Sequence, residues 1–112
     1  MVGGSMSTYR FLPSLYINEY ITEVAKKKWF ISHGLPVRNC YAIILAHHSQ
    51  CALEIMTVEE LHKKFRKREH YDVVGLSNSR HGAFTLLERI YADTYANTGD
   101  YSVKAYLQSL ME

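Results

Sequence analysis

The chain holds only two cysteines, Cys40 and Cys51, in 112 residues. That count excludes a disulfide framework. No apolar run approaches the ~20 residues that cross a bilayer. The N-terminus lacks the basic-then-apolar layout of an export signal, so a reducing cytoplasm is the expected compartment and no membrane partner is expected. Neither sign of charge dominates. The formal net charge of +2 is too small to argue by itself for nucleic acid. No repeat, low-complexity tract or linker interrupts the chain. Aromatic and branched aliphatic residues are too plentiful for disorder.

Reaction motifs are missing as well. Gly75 to Gly82 does not follow the phosphate-loop pattern or the dinucleotide fingerprint. No spacing sets one carboxylate against another, and none gathers a serine, a histidine and an aspartate. No cofactor is therefore expected.

What is present fits one α+β domain over residues 6–112. Met1 to Ser5 reads as a cloning remnant, with the native start expected at Met6. Leu15-Tyr16-Ile17 predicts a first strand. Asn18 is placed to cap a helix carrying Tyr20, Ile21, Val24, Lys28 and Ile31, which Gly34 and Pro36 end. Cys40 to Ala46 and Ala52 to Met56 predict two strands joined by a hairpin. Thr57-Val58-Glu59-Glu60 is a capping box that opens a helix to about Glu69. Tyr71 to Leu76 predicts a buried strand. A long helix follows from about Arg80 to Thr98, with Ala83, Leu87, Ile90, Tyr91 and Thr94 as its buried stripe and Phe84 and Tyr95 at its flanks. Gly99 stops it, and a short helix is expected after Asp100. The order of elements is that of a ferredoxin-like βαββαβ domain with additional C-terminal helices.

Four features compete for function. Cys40, His47, His48 and Cys51 resemble metal ligands at first sight. A strand from Cys40 to His48 would separate its ends by roughly 26 Å, too far for Cys40 to share a zinc ion or a disulfide with Cys51. His48 and Cys51 would be cross-strand neighbours with no third ligand, so no metal is expected. A nucleophilic Cys51 beside His48 is a minor alternative. The corner at Ser77, Asn78, Ser79 and Arg80 is a candidate anion site, because a helix start presents free amides there. Its bland alternative is a simple cap by Asn78 or Ser79.

The basic helix over residues 58–69 carries Lys63, Lys64, Arg66, Lys67 and Arg68, with a second cluster at Lys26-Lys27-Lys28-Trp29. Phosphate backbones attract such surfaces. Glu59 and Glu60 offset part of the charge, and a helix C-terminus favours cations in any case. Finally, nine tyrosines supply side chains suited to interfaces. Most are explained by partial core burial, while Tyr101 and Tyr106 on the tail are candidates for contact.

Val73 to Leu76, Ala83, Leu87, Tyr91, Tyr95, Thr98-Gly99 and Val103 to Leu107 resemble a set of short Firmicutes proteins of no assigned activity. Those share a strand ending in Gly-hydrophobic-small, then a helix, Thr-Gly and a Val-x-x-Tyr-Leu-like tail. Ser77 to His81 depart from that set. The resemblance implies a stand-alone bacterial or mobile-element protein and carries over no site residue.

The expected function is non-catalytic: an adaptor or inhibitor that binds a protein partner through Lys63, Lys64, Arg66, Lys67, Arg68, Tyr101 and Tyr106. Nucleic-acid binding by the basic helix and a small-ligand or enzyme domain built on the 75–82 corner are the alternatives. An open sheet edge could also pair two copies.

Overall fold

The computed structural model describes residues 8–46, 52–63 and 70–112. In chain order the elements are β1 (Thr8–Ile17), α1 (Val24–Ser32), β2 (Tyr41–Leu45), β3 (Leu53–Thr57), α2 (Val58–Lys63), β4 (His70–Ser77), α3 (Arg80–Thr98) and α4 (Val103–Met111). The strands form one mixed sheet in the order β1-β4-β2-β3. β1 runs parallel to β4, while β2 is antiparallel to both β4 and β3.

The α+β class and the order of elements are as expected, but the sheet has no clear ferredoxin-like strand order. The reason lies in β1 and β4. β4 is buried from Tyr71 to Ser77 and needs cover on both faces, so it takes an interior place. β1 carries Pro13, which has no amide to donate, and such a strand belongs at an edge. Pairing is interrupted there. Phe11 stands opposite Val73 and Tyr16 opposite Gly75, so Leu12 to Leu15 face Val74 alone. β2 also skips Val74, with Ile44 opposite Val73 and Ile43 opposite Gly75. The irregularity is a bulge shared by three strands.

Helices cover both faces. Ile31 of α1 and Val58 and Leu61 of α2 pack with Ala42, Ile44, Val73 and Leu76. On the opposite face, Ala83, Leu86 and Ile90 of α3 and Val103, Leu107 and Met111 of α4 pack with Leu12, Ile43, Leu45 and Val74. The buried stripe of α3 is Ala83, Leu86, Ile90 and Thr94. Leu87 is only partly buried and Tyr91 is exposed, a correction to the expected stripe. The true stripe steps by three and then four residues from Ala83, which is as helical a spacing as the one read from the sequence.

Local signals set most boundaries. The Thr57 hydroxyl accepts from the Glu60 amide at 3.1 Å, and the Glu60 carboxylate accepts from the Thr57 amide at 2.9 Å. That reciprocal cap holds the Glu60 carboxyl below its ordinary range, chiefly through the backbone bond. Residues 64–69, where the basic helix was expected to continue, lie outside the described residues. Gly99 closes α3 in the left-handed conformation, φ 81°, and its amide donates to the Tyr95 carbonyl. Asn18 does not cap α1. The Ile21 amide bonds the Asn18 carbonyl in a turn, and the helix begins only after Glu23, which is left-handed at φ 50°.

At the first residues of β1 and β4 a polar chain joins the two strands. The Asp72 carboxylate, 1% exposed, accepts from Arg10 Nε at 3.1 Å and lies 2.9 Å from His70 Nε2. His70 Nδ1 in turn meets the Thr8 hydroxyl at 2.8 Å. Burial pushes the Asp72 carboxyl up, but the Arg10 hydrogen bond and charge, followed by His70, outweigh it and hold the group below its ordinary range.

A candidate ligand cleft at the carboxyl ends of β1 and β4

β1 and β4 are adjacent and parallel, ending side by side with Ile17 opposite Leu76. The chain leaves β1 toward α1 on one face of the sheet and leaves β4 toward α3 on the other. Two parallel neighbours whose connections depart to opposite faces form a topological switch point. In open α/β sheets, ligands bind outside the strand ends at such points.

A cleft of about 490 Å³ opens at this place. The turn after β1 contributes Asn18, Glu19 and Tyr20, and the corner after β4 contributes Asn78, Ser79 and His81. Ile17 supplies apolar surface, the buried Leu86 borders the cleft, and Thr85 and Arg89 line the wall along α3. The two turns are tied together by Asn18, whose side-chain amide donates to Asn78 Oδ1 at 2.7 Å across 60 residues of sequence.

The corner itself is rigidly bonded. The Ser79 hydroxyl accepts from the Gly82 amide at 3.0 Å and caps α3. Ser77 is fully buried, its hydroxyl donating to the Ser79 carbonyl and accepting from the Ser79 amide. Gly82 is required for this packing, because a Cβ there would collide with Ser77 Oγ and stand 2.7 Å from Asn18 Nδ2. Gly82→Ala is expected to cost about 1–3 kcal/mol in urea unfolding, as overpacking does. An unchanged midpoint would show that Asn18 and Ser77 are not held against α3.

Of the anion-site candidates, the cleft therefore gathers Asn78 and Ser79. Ser77 is sealed beneath the corner, and Arg80 lies over the Phe84 ring, 5.8 Å from its centroid, without lining the cleft. His81 lies within the 75–82 corner read from the sequence, whereas sequence reasoning missed Asn18, Glu19, Tyr20 and Arg89 as parts of the site. One signal was available: an asparagine follows closely on the end of each parallel strand.

The other candidates are dispersed. Lys63 is exposed at the end of α2, while Lys64, Arg66, Lys67 and Arg68 lie outside the described residues, as do His47, His48 and Cys51. Cys40 is buried and its thiol is pushed up to about 11 by that burial, against reactivity. The second basic cluster is engaged locally: Lys26 pairs with Glu23, Lys27 donates to the Thr22 carbonyl and Lys28 lies over the Phe11 ring. Trp29 stacks on His33 with centroids 4.0 Å apart. Tyr106 is partly buried against the core. Tyr101 is 64% exposed and stacks on the exposed Tyr95 at 5.0 Å, with Tyr91 beside it.

Among the described residues, no helix is long and apolar enough to cross a membrane and no cluster of metal-ligating side chains occurs. Comparison with protein-family models, curated proteins and solved structures finds no match to this chain.

Proposed function

We propose that the protein is a small binding domain whose ligand, a small organic molecule, occupies the cleft between the β1 and β4 turns. The observation that carries this reading is the coincidence of the cleft with the switch point of the sheet. The lining supports it, since apolar surface beside a few convergent polar groups is the usual make-up of a small-molecule site. This reading brings forward the 75–82 corner, with residues 17–20 as its second wall.

Amide NMR of the labelled protein against a panel of amino acids, nucleotides and sugars tests it. A true ligand should shift the amides of residues 17–20 and 78–89. Thr85→Phe, at an exposed position on α3, should fill the cleft and abolish those shifts while leaving the rest of the spectrum in place. Shifts confined to other surfaces, or undiminished in Thr85→Phe, would remove the proposal.

A second reading, an adaptor or inhibitor that docks on a partner protein, is favoured by Tyr91, Tyr95 and Tyr101. These rings form an exposed aromatic cluster where α3 meets the start of α4. Clustered aromatic side chains are the usual anchors of protein interfaces.

A further inference from the structure

Two charged side chains line the switch-point cleft, Arg89 on α3 and Glu19 on the turn after β1. Among the described residues neither pairs with the other or with any opposite charge. The partner expected for Arg89 one helical turn on, Asp93, instead accepts from the buried Tyr16 hydroxyl. The Arg89 guanidinium rests over the Tyr16 ring, 5.8 Å from its centroid. Tyr16 thus contacts both neighbours, and Arg89 has no ion pair among the described residues. Ile17 and the largely exposed Tyr20 add apolar and aromatic surface to the same cleft.

Building on the cleft as the binding site, we infer that its ligand is a zwitterion with an apolar side chain, in the chemical class of a free hydrophobic or aromatic α-amino acid. Arg89 receives the carboxylate through its planar fork of donors. Glu19 receives the ammonium group, and the apolar side chain lies on Ile17 and the Tyr20 ring. The Asn18 side-chain amide, bonded to Asn78 Oδ1, holds the turn that carries Glu19 against the corner that opens α3.

The test compares phenylalanine with two analogues that each lack one charge, 3-phenylpropionate and phenethylamine, by amide NMR titration of the full chain. Phenylalanine should bind at least about tenfold more tightly than either analogue, the scale of a lost charge-assisted bond. Arg89→Gln should remove the advantage over phenethylamine alone, and Glu19→Gln the advantage over 3-phenylpropionate alone. Both positions are exposed, so the fold should be untouched. Equal binding of the three compounds in the cleft would overturn the zwitterion while keeping the cleft as a site. Absence of shifts from all three would overturn the zwitterion, and only failure of the wider panel as well would overturn the cleft.

Discussion

Gly75→Val is expected to lower the stability of the protein by about 3 kcal/mol or more. A Cβ at this position would stand 3.0 Å from Ile43 Cδ1 and 3.2 Å from the Tyr16 carbonyl oxygen. The first contact could relax by a rotamer change, but the second is backbone. Gly75 sits at the bulge where β1, β4 and β2 all change register, so a shift to relieve the contact would move three strands at once. The melting temperature should fall by roughly 10–20 °C for a domain of this size. Gly75→Ala should show the same defect in milder form. A loss below about 0.5 kcal/mol in Gly75→Val, the scale of a neutral surface change, would mean that β1 does not close on β4 as described.

The second large effect concerns Asp72. Asp72→Ala is expected to cost about 2–3 kcal/mol near neutral pH, at or below the low end for breaking a buried ion pair, because Arg10 and His70 remain half exposed and can be solvated. Arg10→Met should cost at least as much, since it leaves a buried carboxylate with less compensation. The pH dependence follows from the direction of the shift. The folded carboxyl is held below the value it has in the unfolded chain, about 3.9. Its stabilisation is therefore complete above that value and is lost as pH falls through the lower folded one. Asp72→Asn should remove this acid-limb contribution in urea titrations carried out across pH. An acid limb of unchanged steepness in Asp72→Asn would place the acid sensitivity elsewhere.

The parts of the fold legible in the sequence are those encoded within a few residues. Ser79 and Gly99 bracket α3, Thr57 and Glu60 bond each other, and the apolar run of β4 announces a strand covered on both faces. The α3 face was misjudged at Leu87 and Tyr91, with Leu86 overlooked, because both spacings are helical and only the sheet beneath decides. Asn18 was misjudged for a different reason. Its chemistry suits a helix cap, but the chain turns at Asn18 and the helix begins only after Glu23, while the Asn18 side-chain amide donates to Asn78 once β1 pairs with β4.

The cleft was not legible at all beyond its β4 corner. No local spacing states that β1 and β4 are parallel neighbours, or that their connections leave to opposite faces. Glu19 and Arg89 look like ordinary surface charges until that register is known. The strand order was hidden in the same way, and so was the length of the first strand: Leu15 to Ile17 were legible, while Pro13 falls inside β1 only because the strand begins at Thr8.

The long separation of β1 from β4 also bears on how the chain is made. β1 leaves the ribosome well before β4, its one partner in the sheet among the described residues, which follows about sixty residues later, as the 62-residue interval from Thr8 to His70 shows. Closing so wide an interval is a slow step, and the strand spends it with both edges open. Pro13 removes a donor from the middle of that strand, and its break in pairing spoils it as a template for neighbouring chains. The same break in pairing that accommodates the Val74 bulge in the finished sheet thus works against pairing of the nascent chain with its copies.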